Sequence, residues 1–505
     1  MTARSAAGGP RAFAAPAARR PPSRRRVGWF VAVAALDLAA PVARAEPAGA
    51  DQPAVSVSSS SSTSSTTSDP CALPADQRAP DPRCGESLDG RAPAEPSTAR
   101  RVGQVALAVP RVATQAVFWP VVSTVDFLEY HKVVDHVRAF LTTDDGLVGV
   151  RPELQYSTSF LPTGGLRFFY RRLPGPGSEI MTRFRTAGPQ AFLGQVGLRG
   201  PDALGLSLLA TWDRRNDRLF SGIGSRNAAQ LATADQGAAR YGSDNLSAEL
   251  RWSRRLPARL FAQAHSDLQR RTYQTADVRG GPSVAELYGL PATDCAALGL
   301  PAPCVDEAQV PGFGGGLRIA HLGGGLGLDL REPGRRGRGA SVAVDGTLAR
   351  GLAGDPSRHA RLAGEAVTSV GGVDHQLLLR ARAAMVAQMG SAPIPFDELV
   401  MPTGQDEMRG FASGRFRGPS GLSGTAEYRW YISAFLDATL FVDVGTVAGP
   451  HFTGLDGSRW FPSFGLGFRY YWIDGSYWEA RTKEGIQIAY APEGGWRFLF
   501  NMASF

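Results

Sequence analysis

From residue 147 to the end of the chain, apolar and polar residues alternate with period two. The alternation comes in segments of about ten residues, separated by Gly, Pro or Asp. A two-residue period puts every apolar side chain of a strand on one face. About ten residues is also the length a tilted strand needs to cross a bilayer core. Strands are predicted near 147–157, 164–172, 178–187, 190–199, 203–214, 244–255, 258–271, 315–330, 340–349, 360–370, 375–387, 421–431, 436–446, 463–473, 484–490 and 495–505. No segment after the N-terminal leader offers the roughly 18 apolar residues in a row that a membrane-spanning helix requires.

Connection lengths test this reading independently. In a transmembrane barrel with both ends on one side, short inner turns alternate with longer outer loops. The three longest linkers, 215–243, 272–314 and 388–420, all fall on the outer side, whereas 200–202, 256–257, 371–374 and 432–435 fall on the inner side. A soluble β-sandwich has no reason to sort its loops by parity. The expectation is an all-β fold, an antiparallel transmembrane β-barrel of about 16 strands over 147–505.

Strand faces point the same way. In ATLFVDVG, Leu440, Val442 and Val444 share one face and Phe441, Asp443 and Gly445 the other. In LSGTAEYRWYI, Glu427 and Arg429 oppose Tyr428 and Trp430. Charged faces are expected to line the lumen and apolar faces to meet lipid. Phe168, Phe169 and Tyr170, and Tyr470, Tyr471 and Trp472, are expected to form interfacial aromatic girdles.

Composition agrees once the charges are located. The 505 residues include 60 glycines and only 20% charged residues, which suits turns and sheets better than a helical enzyme. The net charge of +8 would suggest a nucleic-acid binder, but eight arginines against Asp37 sit in residues 1–45 and the rest is close to neutral. That segment reads as a signal peptide: Arg24 to Arg26, the apolar run VGWFVAVAALDLAA, then Ala43-Arg44-Ala45, with cleavage expected before Glu46. Residues 46–100 are rich in Ala, Pro and Ser, with a Ser/Thr tract at 56–68, and are expected to form a disordered linker. Residues 101–146 have helical spacing, with Val125, Leu128, Val133, Val134, Val137 and Phe140 on one face and breaks at Pro110 and Pro120. A short helical segment at the periplasmic mouth, or one on the membrane surface, is expected there.

Four cysteines form two local pairs. Export to an oxidising compartment makes Cys295–Cys304 and Cys71–Cys84 candidate disulfides; AALGLPAP between the first two favours turning back. Neither pair has metal-ligand spacing, the seven histidines are scattered, and no cofactor or metal is expected. His131 and His136 are five apart, a spacing that does not put two ligands side by side on a helix. There is no GxSxG, HExxH or Walker sequence, so no enzyme is expected.

Several segments together resemble the BamA-like bacterial surface antigen superfamily of outer-membrane assembly factors. FDELVMPTGQDEMRGFASGRFRG at 396–418 resembles that family's long sixth outer loop, with its signature at Arg409, Gly410 and Phe411. FVDVG matches the Phe-x-Asp-x-Gly strand at Phe441, Asp443 and Gly445. LFSGIGSRN at 219–227 resembles an aromatic-Gly-x-Gly outer loop, and LDLREP, with Asp329, Arg331 and Pro333, a mid-barrel strand end. WRFLFNMASF is similar to the closing strand, whose terminal aromatic, here Phe505, serves as an assembly signal. The resemblance implies that the loop folds back into the lumen and that Arg409 pairs with Asp443, with Glu427 as a second partner. It also implies periplasmic polypeptide-transport-associated (POTRA) domains, yet no complete one fits in residues 46–146.

The function expected is assistance to the insertion or translocation of proteins, or of lipid, at the bacterial outer membrane. The means would be a weak seam between the first and last strands. Expected partners are outer-membrane lipid, unfolded outer-membrane clients and periplasmic proteins, with no nucleic acid. The rivals are a passive pore or structural barrel plugged by its own loop, and an adhesin acting through 215–243 and 272–314. Seam pairing discriminates: few backbone bonds favour assembly, and a fully bonded seam favours a pore or scaffold.

Overall fold

The computed structural model describes Ser123, Phe127 and residues 130–501, apart from 202, 226–237, 277–280, 333–337, 373–374, 405–406, 433–435, 458 and 471–484. The signal-peptide and linker segments, Cys71, Cys84, Pro333, Tyr471, Trp472 and Phe505 lie outside the described residues.

A helix, α1 (Val133–Leu141), precedes the barrel. The strands are β1 (Val148–Ser157), β2 (Thr163–Arg171), β3 (Glu179–Thr186), β4 (Ala191–Arg199), β5 (Leu206–Phe220), β6 (Ala239–Arg255), β7 (Leu260–Thr275) and β8 (Leu317–Asp329). They continue with β9 (Gly339–Gly351), β10 (Arg358–Gly371), β11 (His375–Gln388), β12 (Ser420–Tyr431), β13 (Leu436–Ala448), β14 (Phe461–Tyr470), β15 (Gly485–Ala491) and β16 (Gly495–Asn501). Each pairs antiparallel with its sequence neighbours, and β1 meets β16 to close a 16-stranded barrel.

Every predicted strand is present. The largest boundary error is at β5 and β6, which reach Phe220 and start at Ala239, so the outer loop between them is shorter than expected. A register shift between Arg215 and Arg218 explains it: the bulge interrupts the alternation from which a strand is read.

The pleat sorts side chains as the alternation requires. Leu166, Val196, Leu246, Leu268, Leu322 and Val442 are exposed on the outer face, while Glu153, Arg183, Glu427 and Asp443 on the alternate positions are buried. An apolar outer band around a polar interior is the signature of a barrel standing in lipid. Phe169 corrects the girdle expectation. Phe168 points outward, but Phe169 is buried in the lumen, 5.1 Å and 4.9 Å below the Arg151 and Arg171 guanidinium groups. Three consecutive strand residues cannot share one face.

The helical segment is helical over α1, and Val137 and Phe140 of its apolar face are exposed. On the outer side the connection 276–316 carries two short helices, α2 (Val284–Tyr288) and α3 (Ala292–Ala297), and the expected disulfide joins Cys295 to Cys304. Its Val284, Tyr288, Val310 and Phe313 pack on Phe220 and Tyr241 of the barrel and on Phe396 of the connection 389–419. The outer loops thus bury apolar residues against one another.

Candidate functional site

The connection 389–419 turns inward, and its chemistry centres on Arg409. The guanidinium is 1% exposed. Nε and Nη2 donate to the two oxygens of Asp443 at 2.9 Å each, the Arg409 backbone N–H donates to Asp443 Oδ2 at 3.0 Å, and Nη1 donates to Glu427 Oε2 at 2.8 Å. Thr425 Oγ1 donates to Asp443 Oδ1 at 2.9 Å. A bidentate fork of this kind fixes orientation as well as charge.

The strand motif explains itself around this group. Phe441, Asp443 and Gly445 share the inward face of β13. The Phe441 ring lies 3.4 Å from the Arg409 guanidinium carbon, Asp443 binds it, and Gly445 leaves room for the Met408 side chain, whose sulfur would be 2.5 Å from a Cβ. Gly410 is needed for close approach and not for an unusual backbone angle. A Cβ there would meet the Cβ atoms of Ser463 at 2.5 Å and Ala491 at 2.9 Å. Phe411 packs with Met408, Phe416, Val447 and Phe461. Arg409, Gly410, Phe411, Phe441, Asp443 and Gly445 are therefore one assembly.

Glu427 does more than the expected second partner. It accepts from Arg409 of the loop, from Arg429 of its own strand at 2.7 Å and from Arg469 of β14 at 2.8 Å, gathering three guanidinium groups at one carboxylate. Asp329 and Arg331 pair at 2.8 Å at the end of β8, away from this assembly.

A second anchor was not foreseen. Arg417 donates to Asp397 Oδ1 at 2.9 Å and to the Tyr241 hydroxyl at 2.9 Å, while Arg271 donates to Asp397 Oδ2 at 2.6 Å. Burial alone would raise the Asp397 carboxyl, but Arg271, Arg417 and Arg218 outweigh it and hold it well below the usual carboxylate range. The 219–227 motif enters here: the Gly224 N–H donates to Arg417 O at 2.7 Å, and Gly224 has φ +106°, a region closed to most side chains. The histidines, scattered in sequence, also need correction. His321 and His359 are brought together beside Glu398, with His321 Nε2 at 3.2 Å and His359 Nε2 at 3.5 Å from Glu398 Oε2.

The described part of the seam lies at the C-terminal end of β1. β1 pairs with β2 from Val148 opposite Tyr170 through Gln155 opposite Thr163 and, among the described residues, with β16 from Gln155 opposite Asn501 to Ser157 opposite Leu499. Residues 502–505, which follow β16, lie outside the described residues. Pro152 bears on the β16-facing edge of β1. Leu147 O accepts from β2 and the Thr158 N–H donates to Phe498 O, so odd residues of β1 face β2 and even ones face β16. Pro152 therefore places its missing N–H on the seam.

These features define an outer-membrane-type barrel with an inward loop held against its wall by an Arg–Asp clasp. The sequence matches no protein-family model and no curated protein. Among solved structures the chain is similar to BamA from Haemophilus ducreyi lacking POTRA domains 1–3, at 13% identity and TM-score 0.47, with 70% of each chain covered. It is also similar to CdiB from Acinetobacter baumannii (12% identity, TM-score 0.40) and CdiB from Escherichia coli (12%, 0.42). Each CdiB match covers 70% of this chain, and the chain spans 59% and 63% of the respective CdiB chains.

Proposed function

We propose that this protein sits in the bacterial outer membrane and assists the insertion or passage of other proteins there, without catalysing a covalent reaction. The observation that carries the reading is Pro152, which puts a backbone position with no N–H to donate on the edge of β1 that faces β16. An opened seam presents unpaired backbone groups on two strand edges, and an incoming extended segment can add to them as a further strand. The partners are then membrane lipid around the apolar band and an unfolded client at the seam.

The test is to lock the seam. Gln155 and Asn501 are directly opposite, and a Q155C/N501C pair can form a disulfide across non-hydrogen-bonded neighbours. In proteoliposomes holding the full chain, an unfolded small β-barrel serves as the probe client. Folding of the probe should be accelerated by the reduced pair and not by the oxidised one. Equal acceleration by both forms would overturn the proposal.

The Arg409 clasp favours a second reading, a pore closed by its own loop, because it fixes that loop in the lumen. On that reading the probe is never accelerated, and R409A raises ion conductance across planar bilayers.

A further inference from the structure

We propose that His321, His359 and Glu398 form a binding site for a divalent transition metal, of zinc-type ligand chemistry, that ties the inward loop to the barrel wall. The site is built by strand register. Asp267 of β7 lies opposite His321 of β8, His321 opposite Ala349 of β9, and Ala349 opposite His359 of β10. These four residues make one lateral rung on the inner face. Ala349 is small and 4% exposed, so the two imidazoles lean toward each other over it, with ring centroids 6.2 Å apart. The loop supplies Glu398 from the 3₁₀ turn Phe396–Glu398.

Three observations point to a metal ion. The first is orientation. His321 Nδ1 lies 2.8 Å from Asp267 Oδ1, and donation of Nδ1–H to that carboxylate leaves the Nε2 lone pair aimed at Glu398 Oε2, 3.2 Å away. A lone pair facing a carboxylate oxygen needs a positive centre between them. A carboxylate behind a histidine is also the usual arrangement that fixes the tautomer and raises the basicity of a metal-binding ring.

The second is geometry. With ligand bonds of about 2.0–2.2 Å to nitrogen and oxygen, the ligands of a tetrahedral zinc ion are about 3.3–3.5 Å from one another. The two His–Glu separations are 3.2 Å and 3.5 Å. Each of the three residues offers a ligand atom, and these atoms all lie within 4.8 Å of one another. The third is convergence: both imidazoles aim at the same oxygen, Oε2, while Oε1 faces Arg271 at 3.6 Å. The side chains of His321, His359 and Glu398 are 9%, 3% and 13% exposed, which keeps competing water scarce. Three protein ligands leave a fourth position for water. Protons on both rings would meet the same charge requirement, and the experiment separates the two cases.

The full chain, folded in detergent and freed of metal by chelation, is titrated with Co²⁺ and, in competition, with Zn²⁺. The expected result is one equivalent of Co²⁺ showing visible ligand-field absorption of tetrahedral strength, displaced by Zn²⁺. H359Q and E398Q should abolish that absorption, and D267N should weaken binding roughly 10–100-fold, as loss of an outer-shell partner does. Heat-modifiable gel mobility reports whether each variant is folded. Should either variant fail to fold, carbethoxylation of His321 and His359 in the unaltered chain is followed by mass spectrometry with and without Zn²⁺, and Zn²⁺ should protect both. Absence of ligand-field absorption in the unaltered chain overturns the proposal. So does absorption that persists in both folded variants, or equal carbethoxylation with and without Zn²⁺.

Discussion

Removing Arg409 strands a carboxylate, and the size of the effect follows from what remains around it. Asp443 is fully buried and accepts three hydrogen bonds from Arg409 and one from Thr425. In R409A the Thr425 hydroxyl and the backbone N–H of residue 409 remain of those four donors, and both guanidinium donors are lost. Glu427, by contrast, keeps Arg429 and Arg469. Stranding one buried charge costs about 3–5 kcal/mol, so R409A is expected to lose that much. In D443A the guanidinium still holds Glu427 and still lies over Phe441, and the loss should be nearer ~2–3 kcal/mol, the value for a truncated charged hydrogen bond. The double variant removes the stranded charge along with its partner. It should therefore be no worse than R409A, giving a coupling on the order of 2–3 kcal/mol. Reversible urea unfolding of the barrel in detergent, followed by tryptophan fluorescence and by heat-modifiable mobility, measures all four corners of the cycle. Single losses that add to within about 0.5 kcal/mol in the double variant would refute the clasp. So would an R409A chain with the unaltered midpoint.

Three further outcomes are expected. G410A forces a Cβ against Ser463 and Ala491 and should cost about 1–3 kcal/mol by overpacking; an unchanged urea midpoint counts against the seating of the loop. V442R puts a charge on the exposed face of β13 and should cost about 2–4 kcal/mol in lipid if that position lies near the bilayer midplane, whereas a water-facing site would tolerate it within about 0.5 kcal/mol in the same unfolding assay. Intact-mass analysis without reductant, after alkylation of free thiols, should leave Cys295 and Cys304 unlabelled; labelling of both shows the bridge absent.

Strand existence was legible because alternation is a local property: each strand carries its own period-two record, and the parity of loop lengths sorted the two ends. The Arg409–Asp443 pair was legible through motif resemblance, while its bidentate geometry and the place of Phe441 beneath it were not. Where local order broke, the reading failed, as at the bulge between Arg215 and Arg218 and in the run Phe168–Phe169–Tyr170, whose apolar character hides which residue points inward.

Sequence by itself therefore determined the barrel, its strand number, its lipid and lumen faces and the identity of the inward loop. Only the tertiary structure decided what meets across the lumen. His321, Ala349 and His359 form a rung because of the lateral register of three strands, and Glu398 joins them because a loop anchored by Arg409 and Arg417 turns inward. Glu427 gathers three arginines for the same reason. Alternation sets which way a side chain points, but register and loop closure are collective properties of the closed sheet, and they set which side chains it finds there.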